Sequence, residues 1–244
     1  MTDLLLAYVV EERTAGERCS PRFRQAEDFG CFTSSIRAKE ICVQILVRFE
    51  GRNQQASADL IEEPDEHWLE SWRLALTGES TPRQEDSLEF LNSALSKWQL
   101  YDHRGRIARS EQDFEKKIEN DPHADLLAII ALKAAWWRSN DCMGICQFRR
   151  TWRHNLVIDF LAVHPALLGP IKSLSGVGTA LLYRAAILAK DLRFEQVWLE
   201  TTDLSAGYYS RLFGTSAASD VLTLPMPEFY DRIHQRFAGA GTNE

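Results

Sequence analysis

Gly176-Val177-Gly178-Thr179 opens a stretch, residues 177–190, that is almost wholly Ala, Leu and Ile. If that stretch is a helix, its first amides have no partner inside it, and the positive end of its dipole can receive the oxygens of a phosphate. Glycine lets the backbone approach such an anion with no Cβ in the way. A plain helix-entry turn has the same composition, so the glycines alone name no ligand. Two familiar nucleotide loops do not match. A dinucleotide-binding loop sets its first glycine directly after a strand and a third glycine inside the helix. Here residues 164–175 intervene after Val163, and Leu181 stands in the third position. A P-loop needs Lys and Ser or Thr after its glycine, and no such run occurs.

Two carboxylates fall where chemistry could use them. Asp159 interrupts the apolar run 156–163, between Ile158 and Phe160, and must find a partner there or face a cleft. Glu200 ends Gln196-Val197-Trp198-Leu199-Glu200, where it could cap the next helix, pair with an arginine or accept a proton. Other polar groups read as structural. His164 precedes Pro165 in a turn sequence. Cys142 and Cys146, four apart on one face of a strand, lack the histidines or second cysteine pair of a zinc site and read as buried thiols, so no metal is expected. Arg149, Arg150 and Arg153, with Phe148, Trp152 and His154, read as a solvated hairpin end. The acidic cluster Asp59, Glu62, Glu63, Asp65 and Glu66 reads as a solvated helix entry. No HExxH, GxSxG or paired CxxC occurs, which points away from zinc hydrolases and serine esterases.

The elements that must hold these residues follow from periodicity and punctuation. Residues 4–10 and the β-branched run 41–49 are strand candidates. Asp65, then Trp68, Leu69, Trp72 and Leu76, marks a helix. Thr81-Pro82-Arg83-Gln84 is a capping box with proline at the first helical position, leading into Leu88, Leu91, Leu95 and Trp98. Ser110 opens a third helix that stops at Asp121-Pro122. Trp68, Trp72 and Trp98 lie on apolar faces as core or interface anchors. Beyond residue 126 strands and helices alternate. The run 126–137 fits either element, and a turn at Asn140-Asp141 into 143–152 favours strand for at least its second half. Strands are expected at 156–163, 196–201 and 221–224, and helices at 177–190, 205–212 and 227–237.

Four ordered segments, Phe160-Leu161-Ala162-Val163-His164-Pro165, Gly176-Val177-Gly178-Thr179-Ala180-Leu181-Leu182, Val197-Trp198-Leu199-Glu200-Thr201 and Ser205-Ala206-Gly207-Tyr208-Tyr209-Ser210-Arg211-Leu212, carry a resemblance. In order and approximate spacing the chain, over about residues 126–237, resembles the GNAT superfamily of acetyl-CoA-dependent N-acetyltransferases. The resemblance implies an α/β fold, a mixed, splayed β-sheet flanked by helices, with acetyl-CoA as co-substrate. Residues 120–244 would form the acetyltransferase core. Residues 1–119 would be an N-terminal extension that either supplies the first strand and helices of the same domain or forms a small separate one.

By the same resemblance, backbone groups at Leu161, Ala162 and Val163 pair with the pantetheine arm, and the loop Ser175, Gly176, Val177, Gly178 and Thr179 binds the pyrophosphate. Tyr209 is implied to protonate the departing thiolate, and a phenol of pKa about 10 suits a thiol of about 8.5. Tyr208, about 100° away around a helix, competes for that role. Glu200 is the first candidate to take the amine proton and Asp159 the second. The implied reaction is direct acetyl transfer to a primary amine of a small molecule or peptide. The chain departs from the family pattern at Ser173, where the signature has Arg or Gln, in a longer 165–176 segment, and in Phe213-Gly214 where Gly-Phe is common. Those departures sustain an alternative, a non-catalytic acyl-CoA-binding or protein-interaction module.

The whole chain sets the remaining bounds. Its 244 residues, with 28 Lys and Arg against 35 Asp and Glu, give a net charge of −7, which argues against a nucleic acid partner. Residues 4–10 follow Asp3 and run into Glu11 and Glu12, unlike a secretory signal, and residues 126–137 fall short of the ~20 needed to cross a bilayer. No membrane partner is expected, and five scattered cysteines suit a reducing cytoplasm. A homodimer is the assembly considered.

Overall fold

A computed structural model of the chain describes residues 44–49, 52–76, 78–137, 141–168, 174–215 and 220–238. The strand expected at residues 4–10, and Ser173, lie outside the described residues. Eight described strands form one sheet: β1 (Gln44–Phe49), β2 (Arg52–Leu60), β3 (Leu126–Lys133), β4 (Cys142–Arg150), β5 (Leu156–Val163), β6 (Leu174–Ser175), β7 (Gln196–Glu200) and β8 (Val221–Pro225). Their order is β6-β1-β2-β3-β4-β5-β7-β8, antiparallel throughout except for β5 and β7. The sheet is therefore mixed, and helices cover both of its faces.

The central strands explain why sequence periodicity was weakest there. In β3 every side chain from Leu126 to Leu132 is buried, with Leu126, Ala128 and Ile130 in one core and Leu127, Ile129 and Ala131 in the other. A strand covered on both faces has no polar side to alternate with. The strand occupies Leu126–Lys133, and residues 134–137, expected to continue it, lie beyond its end. Cys142 and Cys146 are also corrected. A register shift between Leu132 and Lys133 gives β4 an extra residue, so Cys142 enters one core and Cys146 the other. Both thiols are buried.

One core packs α1 (His67–Leu74) and α2 (Pro82–Asp102) on the sheet through Trp68, Trp72, Leu91, Ala94 and Trp98, so the tryptophans are core anchors. The other core holds Phe114 of α3 (Glu111–Asn120), most of α4 (Val177–Asp191), Tyr209 of α5 (Asp203–Phe213) and Phe229 of α6 (Met226–Ala238). The helix starts follow their caps. Gln84 Oε1 accepts from Thr81 N–H at 2.9 Å, and Ser110 Oγ accepts from Asp113 N–H at 3.1 Å.

Between β5 and β7 the sheet opens. The two strands pair only from Leu156 to Ile158, against Val197 to Leu199. On the other edge of β5 the partner of Phe148 is Ile158 and that of Gln147 is Phe160, so Asp159 is an extra, bulged residue. Beyond it β5 stays with β4 to Val163, while β7 pairs with β8.

Candidate active site

A cavity of about 340 Å³ lies at this opening. Its lining draws on both faces of the sheet: Ser87 and Phe90 from α2, Leu161 and Val163 from β5, Gly176, Val177 and Gly178 at the start of α4, and Tyr208 and Tyr209 from α5. Four segments far apart in the chain therefore meet in one space.

The glycine turn leaves backbone amides free at a helix start. Gly176 is the N-cap of α4 at φ +88°, a left-handed conformation that favours glycine, and no side chain caps the helix. Ala180 N–H already bonds Gly176 C=O, which leaves the amides of Val177, Gly178 and Thr179 without intrahelical acceptors. A Cβ at Gly178 would stand 3.7 Å from both Leu161 Cδ2 and the Tyr208 hydroxyl, which shows how close the turn runs to β5 and α5. Thr179 Oγ1 and Tyr208 Oη lie 3.0 Å apart.

Tyr208 and Tyr209 both line the cavity but differ in surroundings. Burial pushes the Tyr208 phenol up to about 12, although its hydrogen bond to Thr179 works the other way. Tyr209 is 5% exposed, stacks on Phe213 and has Tyr208 beside it, and burial raises its phenol still further. Each therefore carries its proton at neutral pH.

The free edge of β5 differs from expectation. His164 N–H bonds Met143 C=O, and by the antiparallel alternation the peptide groups of Leu161 and Val163 point away from β4, into the opening. Ala162 faces the α1–α2 core instead and does not line the cavity. Both groups of Val163 are already engaged. Ser87 Oγ accepts from Val163 N–H at 2.9 Å and donates to Val163 C=O at 2.6 Å. A ligand amide at Val163 would have to displace that hydroxyl, whereas Leu161 carries no such plug from α2.

The two expected carboxylates stand apart from the cavity lining. Asp159 is clamped between Lys97 Nζ at 2.8 Å and Arg149 Nε at 3.1 Å, and its side chain is 9% exposed. These pairs tie α2 to β5 at the bulge, and Asp159 is not among the residues that line the cavity. Glu200 is exposed at the end of β7, on the face opposite Val197 and Leu199, two residues before the cavity-lining Thr202. Thr202 and Ser205 cap α5 reciprocally. His164 is wholly buried, with Nδ1 accepting from Ala166 N–H, and serves the turn it caps. Arg150 bonds Ala124 C=O and His154 Nδ1 and pins the strand end. Thr179, Tyr183 and Lys190 of α4 are met by Tyr208, His234 and the Tyr230 ring. Among the described residues no group of three or more His, Cys, Asp or Glu is arranged to hold a metal. None of the described helices is long and apolar enough to cross a membrane.

Sequence reasoning missed the contribution of α2. Arg83, Asp86, Ser87 and Phe90 line the cavity at helical spacing i, i+3, i+4 and i+7. The capping box located the helix, but nothing in residues 83–90 indicates which face would meet a distant strand.

Comparison with known proteins adds an independent finding. A model of the acetyltransferase (GNAT) family matches residues 92–214. No curated protein sequence matches. Among solved structures, a nourseothricin acetyltransferase is similar at 21% identity, covering 44% of this chain and 68% of its own, with a TM-score of 0.32. A putative acetyltransferase of the GNAT family from Desulfovibrio desulfuricans is similar at 14% identity over 70% of this chain and 99% of its own, with a TM-score of 0.42. The PaiA N-acetyltransferase from Thermoplasma acidophilum, in complex with coenzyme A, is similar at 14% identity over 69% and 99%, with a TM-score of 0.40.

Proposed function

The chain belongs to the acetyltransferase (GNAT) family, and on that premise we propose that it transfers an acetyl group from acetyl-CoA directly to a primary amine. The observation that carries this reading is the single cavity shared by the uncapped turn of α4, the free end of β5 and the two tyrosines of α5. The donor set fits the co-substrate: the amides of Val177, Gly178 and Thr179 suit a pyrophosphate, and the Leu161 peptide group suits an amide or thioester carbonyl. Bound acetyl-CoA supplies the activated acyl carbon. The amine nitrogen forms the new N–C bond as the C–S bond breaks, so no acyl group rests on the protein.

Two proton movements accompany the exchange. Tyr209 Oη, which lines the cavity and keeps its proton at neutral pH, gives that proton to the leaving sulfur. The amine's proton leaves in the other direction. Glu200 takes it through water, because the carboxylate stands outside the lining with only Thr201 between it and Thr202. Asp159, neutralised by two cations, holds β5 in shape.

The test is stabilisation by acetyl-CoA. At about 100 times its dissociation constant a ligand adds ~2.7 kcal/mol to stability, and Gly178→Glu, which sets a carboxylate in the phosphate path, should remove that gain. Stabilisation by NADH and none by acetyl-CoA would sink the reading. The competing reading, a binding module without turnover, has one observation in its favour, the Ser87 hydroxyl on Val163. Release of CoA in the presence of amines separates the two.

A further inference from the structure

Within the lining of the cavity Asp86 is the one carboxylate, and Arg83 and Arg211 are the two guanidiniums. Their helical neighbours are occupied: Gln84 bonds Thr81 and Pro165 C=O, and Glu85 accepts from Ser80. The side chains of Asp86 and Arg83 neither hydrogen-bond nor ion-pair with any described residue. They are three residues apart and so share a helix face, with Phe90 one turn further along. Ser87, bonded twice to Val163, and Lys97, paired with Asp159, hold that face in fixed register on β5.

We propose that this face of α2 is the acceptor subsite and that it selects a monoamine bearing an acidic group, an amino-acid-like zwitterion. The proposal rests on the acetyl-transfer reading above and supplies its acceptor class. Asp86 receives the ammonium, Arg83 receives the acidic group, and Phe90 packs against the apolar stem. A guanidinium one turn from the carboxylate repels a second ammonium, so a polyamine fits this wall poorly. The opposite charge on a zwitterion satisfies both groups at once. Asp86 here sets specificity. The ammonium loses two protons to the water route described above, one to free the nitrogen lone pair before attack and one as the N–C bond forms.

The experiment measures CoA release at saturating acetyl-CoA with α-amino acids, the carboxamide and the decarboxylated amine of each, and spermidine. At least one amino acid should be acetylated, with kcat/KM about tenfold or more above its carboxamide and its amine. Arg83→Gln should abolish that preference. Asp86→Asn should raise the acceptor KM about tenfold or more with a smaller change in kcat, while stabilisation by acetyl-CoA stays at the wild-type level. Equal kcat/KM for acid and carboxamide, a preference for spermidine, no turnover of any amino acid, or an unchanged KM in Asp86→Asn would each overturn the proposal. Loss of acetyl-CoA stabilisation in the wild type would instead remove the acetyl-transfer reading itself, so the two failures are distinct.

Discussion

The two adjacent tyrosines divide one environment. Tyr208 reaches Thr179 at the start of α4, while Tyr209 stacks inside the core on Phe213 and still lines the cavity. If Tyr209 delivers the proton, Tyr209→Phe should lower turnover roughly a hundredfold and leave acetyl-CoA affinity nearly unchanged. Tyr208→Phe should change turnover far less and weaken acetyl-CoA binding through the disturbed helix start. Equal, small effects on turnover would take the acid role from both. A pH consequence follows from the raised phenols. An unfolded tyrosine ionises near about 10, whereas Tyr208 holds its proton to about 12, so its contribution is complete below the lower value and fades as pH climbs through the upper one. Chemical denaturation of the wild type and Tyr208→Phe between those values should show the wild type losing more stability. Glu200 answers to a different profile. Glu200→Gln should cut turnover at neutral pH and recover in part at higher pH, where more amine arrives deprotonated, while Asp159→Asn should cost mainly stability because Lys97 and Arg149 lose their shared anion. A pH profile displaced by Asp159→Asn and untouched by Glu200→Gln would reverse the roles.

At the scale of elements, the determining contact is α2 against the sheet at β4 and β5. Three polar fastenings hold it: Ser87–Val163 and Lys97–Asp159 on β5, and Gln147 of β4, whose Nε2 donates to Ala94 C=O at 2.7 Å. Each satisfies groups that burial would otherwise leave costly. Ser87→Ala should therefore lower the stability of the free protein by about 1–2 kcal/mol, read as a lower melting temperature. Because Val163 would then be open to a ligand amide, the added stabilisation by acetyl-CoA should grow in the variant. A smaller gain would mean that Val163 is not part of the ligand path. This contact is also where the sequence was least legible. The bounds of β5 and the starts of α2, α4 and α5 could be read from caps, glycines and apolar runs such as 156–163, because those signals are local. β2 escaped notice because Arg52–Leu60 is polar and meets the core through Ala56 and Ala58, too small to mark a face. Asp86 and Arg83 escaped because exposed charges at a helix start are ordinary until the fold sets a cavity against them.

Among the described residues, strands from either side of residue 120 lie in one sheet. β2 pairs with β3 from Ser57 against Lys133 to Leu60 against Ile130, and β1 also receives β6, which lies just before the glycine turn. Chain on either side of residue 120 thus alternates across the sheet, and α2, which lies ahead of that boundary, forms a wall of the cavity. The family model begins at residue 92, inside α2, and leaves out Arg83, Asp86, Ser87 and Phe90. The family match thus bears on residues 92–214, and the α2 wall proposed for the acceptor lies outside it. A fragment spanning 120–244 tests that division. It would lose Trp68, Trp72, Leu91, Ala94 and Trp98, and so uncover Leu127, Ile129, Ile145 and Ala162 on one whole face. It would also leave the outer edge of β3 unpaired, an invitation to aggregation. Apolar surface returned to water costs about 25 cal/mol per Å², and domains are stable by only ~5–15 kcal/mol, so a whole uncovered core face weighs heavily against folding. The fragment should therefore show no cooperative thermal transition and no stabilisation by acetyl-CoA, measured by circular dichroism beside the full chain. A cooperative melt that acetyl-CoA raises would make residues 1–119 a separable addition and would free the co-substrate site from any dependence on α2.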